Sequence, residues 1–207
     1  MGIIKTGFQT PWEVRIPVLT RYLDTEFVDL FFNEGKLRLS SFKSFRNNPD
    51  EQRGDINEGR MKLKIRTPQG SNNEVAQNCQ EAYVLCAGTV ENPTMETSFS
   101  TQDSFRITNS LDFADCISRH IPGCNGGMEG LCHYRDHLTF SNIDTITTPE
   151  ESCKFMSGHL MNSFLLKHNK YAHQGEYRFI WFTSGKLEMD YIDIVCPEAL
   201  EFCERLK

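Results

Sequence analysis

The sequence contains no apolar run near the ~18 residues that a membrane-spanning helix requires. Its start, Met1–Thr6, lacks a basic segment followed by a long apolar stretch, so we expect no signal peptide. Glycine (14) and proline (8) are too few for a collagen-like or low-complexity chain, and no repeat period is present. These absences predict a globular cytoplasmic protein that does not bind membranes.

An excess of positive charge is also missing. The 28 acidic residues outnumber the 22 Lys and Arg, and the net charge of −6 argues against a protein that coats duplex nucleic acid. With 39% hydrophobic residues, the 207-residue chain is suited to one folded domain over 1–207. The eight cysteines are predicted to be free and mostly buried, because a chain of this length does not need disulfides to fold.

Strands and helices alternate irregularly along the chain, and this order favours an α+β class. We expect one domain with split antiparallel or mixed sheets and flanking helices. The predicted strands are Glu13–Tyr22, Lys36–Ser41, Arg60–Arg66, Ala82–Ala87, Ser104–Thr108, Leu131–Arg135, Glu176–Phe182 and Tyr191–Val195. The predicted helices are Glu26–Glu34, a segment from Asn109 or Ser110 to His120, one that begins at Thr148 and carries Phe164 and Leu165, and one that begins at Pro197. Gln69–Gln80 and Asn125–Gly127 are predicted to be a loop and a turn.

One predicted strand has a strongly basic face. In Arg60–Arg66, four cations alternate with Met61, Leu63 and Ile65, so the cations share one side of the strand. Such a face is normally only solvated. If the protein acts on RNA or another polyanion, this face is the first candidate for the docking surface.

A Gln-x-Glu pattern stands where a polar loop meets an apolar strand. Gln174 precedes Glu176 by two residues, and Glu176 begins the strand that runs to Phe182. A carboxylate at such a sheet edge can stabilise an oxocarbenium-like sugar cation, as in the transfer of ADP-ribose. The alternative is structural, namely that Glu176 pairs with Arg178 or another nearby cation.

Six potential zinc ligands are concentrated in the middle of the chain. Cys116 and His120 would share a helix face at a spacing of four residues, but the chain has no Cys-x-x-Cys pair. Buried cysteines and exposed histidines are therefore favoured over a metal site. The six residues are Cys116, His120, Cys124, Cys132, His133 and His137.

The first part of the chain resembles ADP-ribosyltransferase-type folds. The matching order is the strand Val18–Tyr22, a short helix ending at Gly35, and the segment Lys36–Phe42. The whole chain also resembles a family of small, uncharacterised bacterial proteins associated with phage defence. That likeness rests on Leu37–Ser41 leading to Phe45 and Asn48–Glu51, on Val84–Cys86, and on Lys167 with Glu176–Phe179.

The resemblance implies a site for NAD, used as a substrate. It assigns Arg21 to the NAD ribose, Glu176 to catalysis and Gln174 to positioning the acceptor. The remaining assignments leave alternatives: Ser40 or Ser41 beside the nicotinamide, Phe42 or Phe45 stacked on it, and Ser100 in the competing segment Ser98–Gln102.

The expected function is therefore the transfer of ADP-ribose from NAD to a macromolecule, either a protein or a nucleic acid. An anti-phage effector or toxin of this kind would need a neutralising antitoxin or another regulatory partner. The alternative is a non-enzymatic interaction module with the same fold.

Overall fold

The structure is a computed structural model that describes residues 2–5, 13–50, 54–66, 72–78, 82–89, 101–141, 148, 150–151, 154 and 163–206. The strands are β1 Gly2–Lys5, β2 Glu13–Ile16, β3 Leu19–Leu23, β4 Lys36–Ser41, β5 Arg60–Arg66, β6 Asn72–Asn78, β7 Ala82–Gly88, β8 Asp103–Ile107, β9 Cys124–Leu131, β10 His133–Arg135, β11 Thr139–Ser141, β12 Leu166–His168, β13 Glu176–Thr183, β14 Tyr191–Val195 and β15 Cys203–Arg205. The α-helices are α1 Thr25–Glu34, α2 Phe42–Asn47 and α3 Ser110–Ser118, and the 3-10 helices are η1 Ser163–Leu165, η2 Asn169–Gln174 and η3 Pro197–Phe202. The mixed α+β class with a mostly antiparallel sheet is confirmed.

The main sheet has eight strands and branches at β7. On one edge, β7 pairs with β13 along its whole length, and β13 pairs in turn with β9. The other edge of β7 is shared by two groups of strands, β4–β14 and β3–β8–β15. Every pairing in this sheet is antiparallel, whereas β10–β12 and β5–β11, in the smaller sheets, pair in parallel.

The two faces of the sheet bury different sets of side chains. On β13, Tyr177, Phe179 and Trp181 point to the larger core, which α1, α3 and η3 cover. The alternate residue Ile180 points to a smaller core that contains Phe42 and Phe164. Because side chains alternate along a strand, Glu176 and Arg178 share the face of Ile180. Two charged residues are thereby placed on a buried face.

The structure corrects several predicted elements. Gln69–Gln80 is not a loop throughout, because Asn72–Asn78 forms β6 and pairs antiparallel with β5. Asn125–Gly127 lies in β9 rather than in a turn. A Cβ at Gly127 would be 2.6 Å from the carbonyl oxygen of Ile180, so glycine allows a close approach of strands there.

Further predicted elements also differ. Leu131–Arg135 is not one strand, because Cys132 separates the end of β9 from β10. Glu13–Tyr22 is interrupted at Pro17, giving β2 and β3. The chain after Pro197 is a short 3-10 helix, not an α-helix. The capping box at Thr148 is present, with Thr148 Oγ1 accepting from Glu151 N at 3.1 Å, but Ser163–Leu165 is a 3-10 helix rather than a continuation of an α-helix.

Among the helices of the described residues, none is long and apolar enough to cross a bilayer.

Gly35 ends α1 and allows a close contact with another element. Its φ of 68° lies in the left-handed region, and its N–H bonds to the carbonyl oxygen of Phe31 at 2.8 Å. A Cβ at this position would be 2.6 Å from Pro197 N, at the start of η3. Glycine is thus required both by the backbone conformation and by the packing of α1 against η3.

We expect Gly35→Ala to lower the free energy of unfolding by about 3 kcal/mol or more. The left-handed conformation accounts for about 1–2 kcal/mol, and the clash with Pro197 adds to it. Gly123→Ala is the matched control, because Gly123 has a φ of 69° but a Cβ there would meet nothing within 4 Å. Urea denaturation of both variants gives the comparison, and equal losses would contradict the packing argument.

Candidate functional site

A cavity lies where the two groups of strands part from β7. β4 contacts β7 through Ser40 and Ser41, whereas β3 contacts it through Thr20. Between these contacts, at 85–87, no described strand pairs with this edge of β7. The cavity opens at this gap and has a volume of about 380 Å³. Its size is within the range of small-molecule sites.

Arg21 spans the gap in the sheet. Its Nη1 donates to the carbonyl oxygen of Cys86 at 2.6 Å, a bond that replaces a missing strand-to-strand contact. Its Nε has no hydrogen-bond partner among the described residues. Burial lowers the pKa of Arg21 to about 10, so the guanidinium remains charged at neutral pH. Arg21 therefore presents a fixed positive charge to the cavity.

Glu176 lies at the cavity with both carboxylate oxygens paired to buried cations. Arg178 Nε donates to Glu176 Oε1 at 2.5 Å, and Lys167 Nζ donates to Glu176 Oε2. Burial by itself would raise the pKa of Glu176, but Arg178 and Lys167 outweigh it and hold this pKa well below its usual range. Glu176 is therefore ionised although only 7% of it is exposed.

The backbone on both sides of Glu176 is held in place. Gly175 ends η2 with a φ of 53°, and its carbonyl oxygen accepts from Thr89 N at 3.2 Å. The N–H of Glu176 donates to the hydroxyl of Tyr134 at 2.8 Å. Gln174 Oε1 accepts from Lys167 Nζ at 2.8 Å, so this lysine links both polar residues of the Gln-x-Glu pattern.

A second buried carboxylate lies behind the cavity. Arg178 Nη2 is 2.7 Å from Glu58 Oε1, and both side chains are at most 4% exposed. Burial raises the pKa of Glu58 in spite of the nearby Arg178. Glu58 does not line the cavity. Lys167, Arg178, Glu58 and Glu176 form a group that we call the buried charge cluster.

The cavity brings together residues that are distant in the sequence. The lining includes five residues of the sequence-based site: Arg21, Ser40, Phe45, Gln174 and Glu176. Other cations and carboxylates also line it, namely Lys36, Arg38, Lys167, Asp24 and Asp193.

Two of the predicted site residues that the structure describes, Ser41 and Phe42, are not in this lining. Ser41 lies at the start of α2, where its Oγ accepts from Ser44 N at 3.1 Å. Phe42 is fully buried and packs edge to face on Phe164, with ring centroids 5.7 Å apart. Of the two alternative pairs, only Ser40 and Phe45 line the cavity. Ser100 lies outside the described residues.

Lys167 and Glu58 are the site residues that the sequence analysis did not assign. Lys167 follows the apolar run 164–166, and a lone cation after such a run is the signal that would have identified it. Glu58 lies in a polar segment between β4 and β5, where nothing in the sequence distinguishes it from a surface residue. Its burial depends on tertiary contacts, including a bond from Tyr171 Oη to the carbonyl oxygen of Gly54 at 2.8 Å.

The six potential zinc ligands do not form one cluster. Cys116 and Cys132 are buried, Cys124 is half-buried, and His133 and His137 are exposed. Cys132 contacts the buried charge cluster instead, with its Sγ 3.7 Å from Glu176 Oε1. The cysteines of the described part of the chain are all free, as predicted.

Comparison of the chain with protein-family models, with curated proteins and with solved structures gives no significant match.

Proposed function

We propose that this protein transfers ADP-ribose from NAD to a macromolecule and that its fold is of the ADP-ribosyltransferase type. The observation that carries the proposal is the set of side chains around one cavity at the branch of the sheet. An ionised carboxylate, an adjacent amide, a buried guanidinium and a hydroxyl converge there: Glu176, Gln174, Arg21 and Ser40.

Each group has a chemical role in this reaction. The glycosidic C–N bond of NAD breaks, and its electron pair goes to the nitrogen of the departing nicotinamide. Glu176 stabilises the positive charge that develops on the ribose, because its own negative charge is maintained in a buried site. Gln174 orients the acceptor, whose nucleophilic atom bonds to the ribose carbon and loses a proton.

The cations of the cavity are suited to the diphosphate of NAD. Arg21 is charged and lines the cavity, so it is the first candidate to bind ribose or phosphate oxygens. Lys36 lies in the same lining. Arg38 is already engaged by Asp193 through two bonds of 2.7 and 2.8 Å.

A protein or a nucleic acid is the proposed acceptor, and an anti-phage effector or toxin acting in the cytoplasm is the proposed biological role. Modification of such targets in the host cell would require a neutralising antitoxin or another regulatory partner. NAD is consumed in this reaction as a substrate.

One observation favours a second candidate, a binding module without turnover. Both oxygens of Glu176 are occupied by Lys167 and Arg178, as expected of a structural ion pair. Such a module would use the cavity for recognition, and Glu176 would serve only to hold the buried cations.

Incubation of the protein with NAD labelled in its adenosine part distinguishes the two candidates. We expect nicotinamide release and transfer of label to a component of a cell lysate, and the loss of label after protease or ribonuclease treatment identifies the acceptor class. Glu176→Gln serves as the negative control. A binding module would show neither release nor transfer, and this result would overturn the enzymatic proposal.

A further inference from the structure

A second group of polar side chains lies at the junction of α3 with η3. His120 follows α3, while Cys196 and Glu198 flank Pro197 at the start of η3. One ligand atom from each of these three residues lies within 4.8 Å of the others. The sulfur of Cys116 is 3.7 Å from that of Cys196. A thiol, an imidazole and a carboxylate thus meet at one place, and a second thiol lies beside the first.

We propose that His120, Cys196 and Glu198 bind a zinc ion, and that Cys116, which contacts Cys196, supplies the fourth ligand. Imidazole, thiolate and carboxylate are the three side-chain groups that zinc uses, and four protein ligands are typical of structural zinc sites. Among the described residues, the one group of three or more His, Cys, Asp and Glu side chains with such spacing is His120, Cys196 and Glu198. Cys116 lies outside that group and reaches it through its sulfur contact with Cys196.

Two distances between the ligand atoms match those of a tetrahedral site. With Zn–S bonds of about 2.3 Å, two cysteine sulfurs on one zinc ion are about 3.8 Å apart. The sulfurs of Cys116 and Cys196 are 3.7 Å apart, whereas a disulfide would need about 2.05 Å. With bonds of about 2.0 Å, a nitrogen and an oxygen ligand are about 3.3 Å apart. His120 Nε2 is 3.4 Å from Glu198 Oε2.

The backbone holds this group together independently of a metal. Cys116 and His120 are one helical turn apart, and the N–H of His120 donates to the carbonyl oxygen of Ile117 at 2.9 Å. The N–H of Cys196 donates to the carbonyl oxygen of Gly35 at 2.8 Å. A zinc ion here would join α3 to the segment between β14 and η3.

Burial gives the site a closed side and an open side. Cys196 is fully buried and Cys116 is 2% exposed, whereas the side chains of His120 and Glu198 are 31% and 56% exposed. An ion would enter from the solvent past His120 and Glu198. None of the four residues lines the cavity at β7, so the zinc site is independent of the proposed transferase function.

Metal analysis of the reduced full-length protein tests this proposal. After dialysis to remove loosely held metal, we expect about one zinc ion per chain. Replacement by Co²⁺ should give the d–d bands of a tetrahedral site and a thiolate-to-metal charge-transfer band. The proposal would be overturned if the wild-type protein held no stoichiometric zinc, either as purified or after zinc was added, and showed none of these bands after cobalt was added.

Ligand variants locate the ion. We expect His120→Ala and Cys196→Ser each to lower zinc affinity at least about 100-fold, since even residues behind the ligands contribute about 10–100-fold. Cys196 is buried, and Cys196→Ser could therefore fail to fold. His120 is partly exposed, so we expect His120→Ala to keep the fold and to serve as the test in that case. His133→Ala and Cys124→Ser are the matched controls, and an equal affinity loss in control and ligand variants would reject the assigned site.

Discussion

Glu176→Gln is expected to lower nicotinamide release from NAD about 100-fold or more, because in the proposed reaction it removes the charge that would stabilise the ribosyl cation. Loss of a single preorganised stabilising group typically reduces turnover by about 10²–10³-fold. Glutamine has nearly the same shape, so the cavity keeps its volume. The activity is measured per folded molecule, with folding checked by circular dichroism at the assay temperature.

Glu58→Gln is the matched control for this variant. Glu58 and Glu176 are both buried carboxylates paired to Arg178, but only Glu176 lines the cavity. Both variants disturb the buried charge cluster, whereas only Glu176→Gln changes the surface that NAD would contact. Glu176→Asp preserves the charge and tests its position if Glu176→Gln does not fold. Equal activity losses at Glu58 and Glu176 would indicate that stability, not catalysis, explains the effect.

Arg178→Met is expected to lower the free energy of unfolding by about 3–5 kcal/mol. Arg178 is 2% exposed and bridges Glu176 and Glu58, and its Nη1 also donates to the carbonyl oxygen of Phe164 at 2.9 Å. Its removal leaves two buried carboxylates with Lys167 as the remaining cation of the cluster. Breaking a buried ion pair by removing one partner has a cost of this order. Urea denaturation at pH 7 measures it.

Two comparisons identify charge as the cause of this loss. Glu58→Gln combined with Arg178→Met should be less destabilising than Arg178→Met alone, because one uncompensated charge is removed. Arg38→Met breaks a surface pair whose side chains are 49% and 32% exposed, and should change stability by at most about 1 kcal/mol. Additive effects at Glu58 and Arg178 would contradict the interpretation.

The loss of stability caused by Arg178→Met should depend on pH. In the wild type, the depressed pKa of Glu176 contributes stability that is present above its unfolded pKa of about 4.3 and is lost as the pH falls below it. Without Arg178, burial raises the pKa of both carboxylates, so the variant gains stability as they are protonated. The difference between wild type and Arg178→Met should therefore shrink between pH 7 and about pH 4.

Local sequence patterns are sufficient to predict the strands that bury one face. The boundaries predicted for Lys36–Ser41 and Tyr191–Val195 are those of the structure, because apolar and polar residues alternate in both strands. The end of α1 is also predictable, since Gly35 is the residue best able to adopt the conformation required. The strand β6 is not, because Asn72–Asn78 is polar and owes its conformation to pairing with β5.

The charged part of the site is predictable only in part. The Gln-x-Glu pattern and the possibility that Glu176 pairs with Arg178 are both visible in the sequence, and the ion pair is present at 2.5 Å. The contributions of Lys167 and Glu58 depend on contacts between distant segments, which a single sequence does not display. For the same reason, the sequence does not group Cys196 and Glu198 with Cys116 and His120.

The branch at β7 also determines how this protein must fold. Arg21 and Cys86 are 65 residues apart in the chain, and Gly88 pairs with Glu176, which follows it by 88 residues. A sheet built from such distant pairings has a slow folding topology, since several large loops must close before the contacts stabilise one another. Until β13 arrives, β7 offers an apolar, unpaired edge to other chains. The branch at β7, which creates the cavity, therefore also makes the partly folded chain prone to aggregation until β13 pairs with β7.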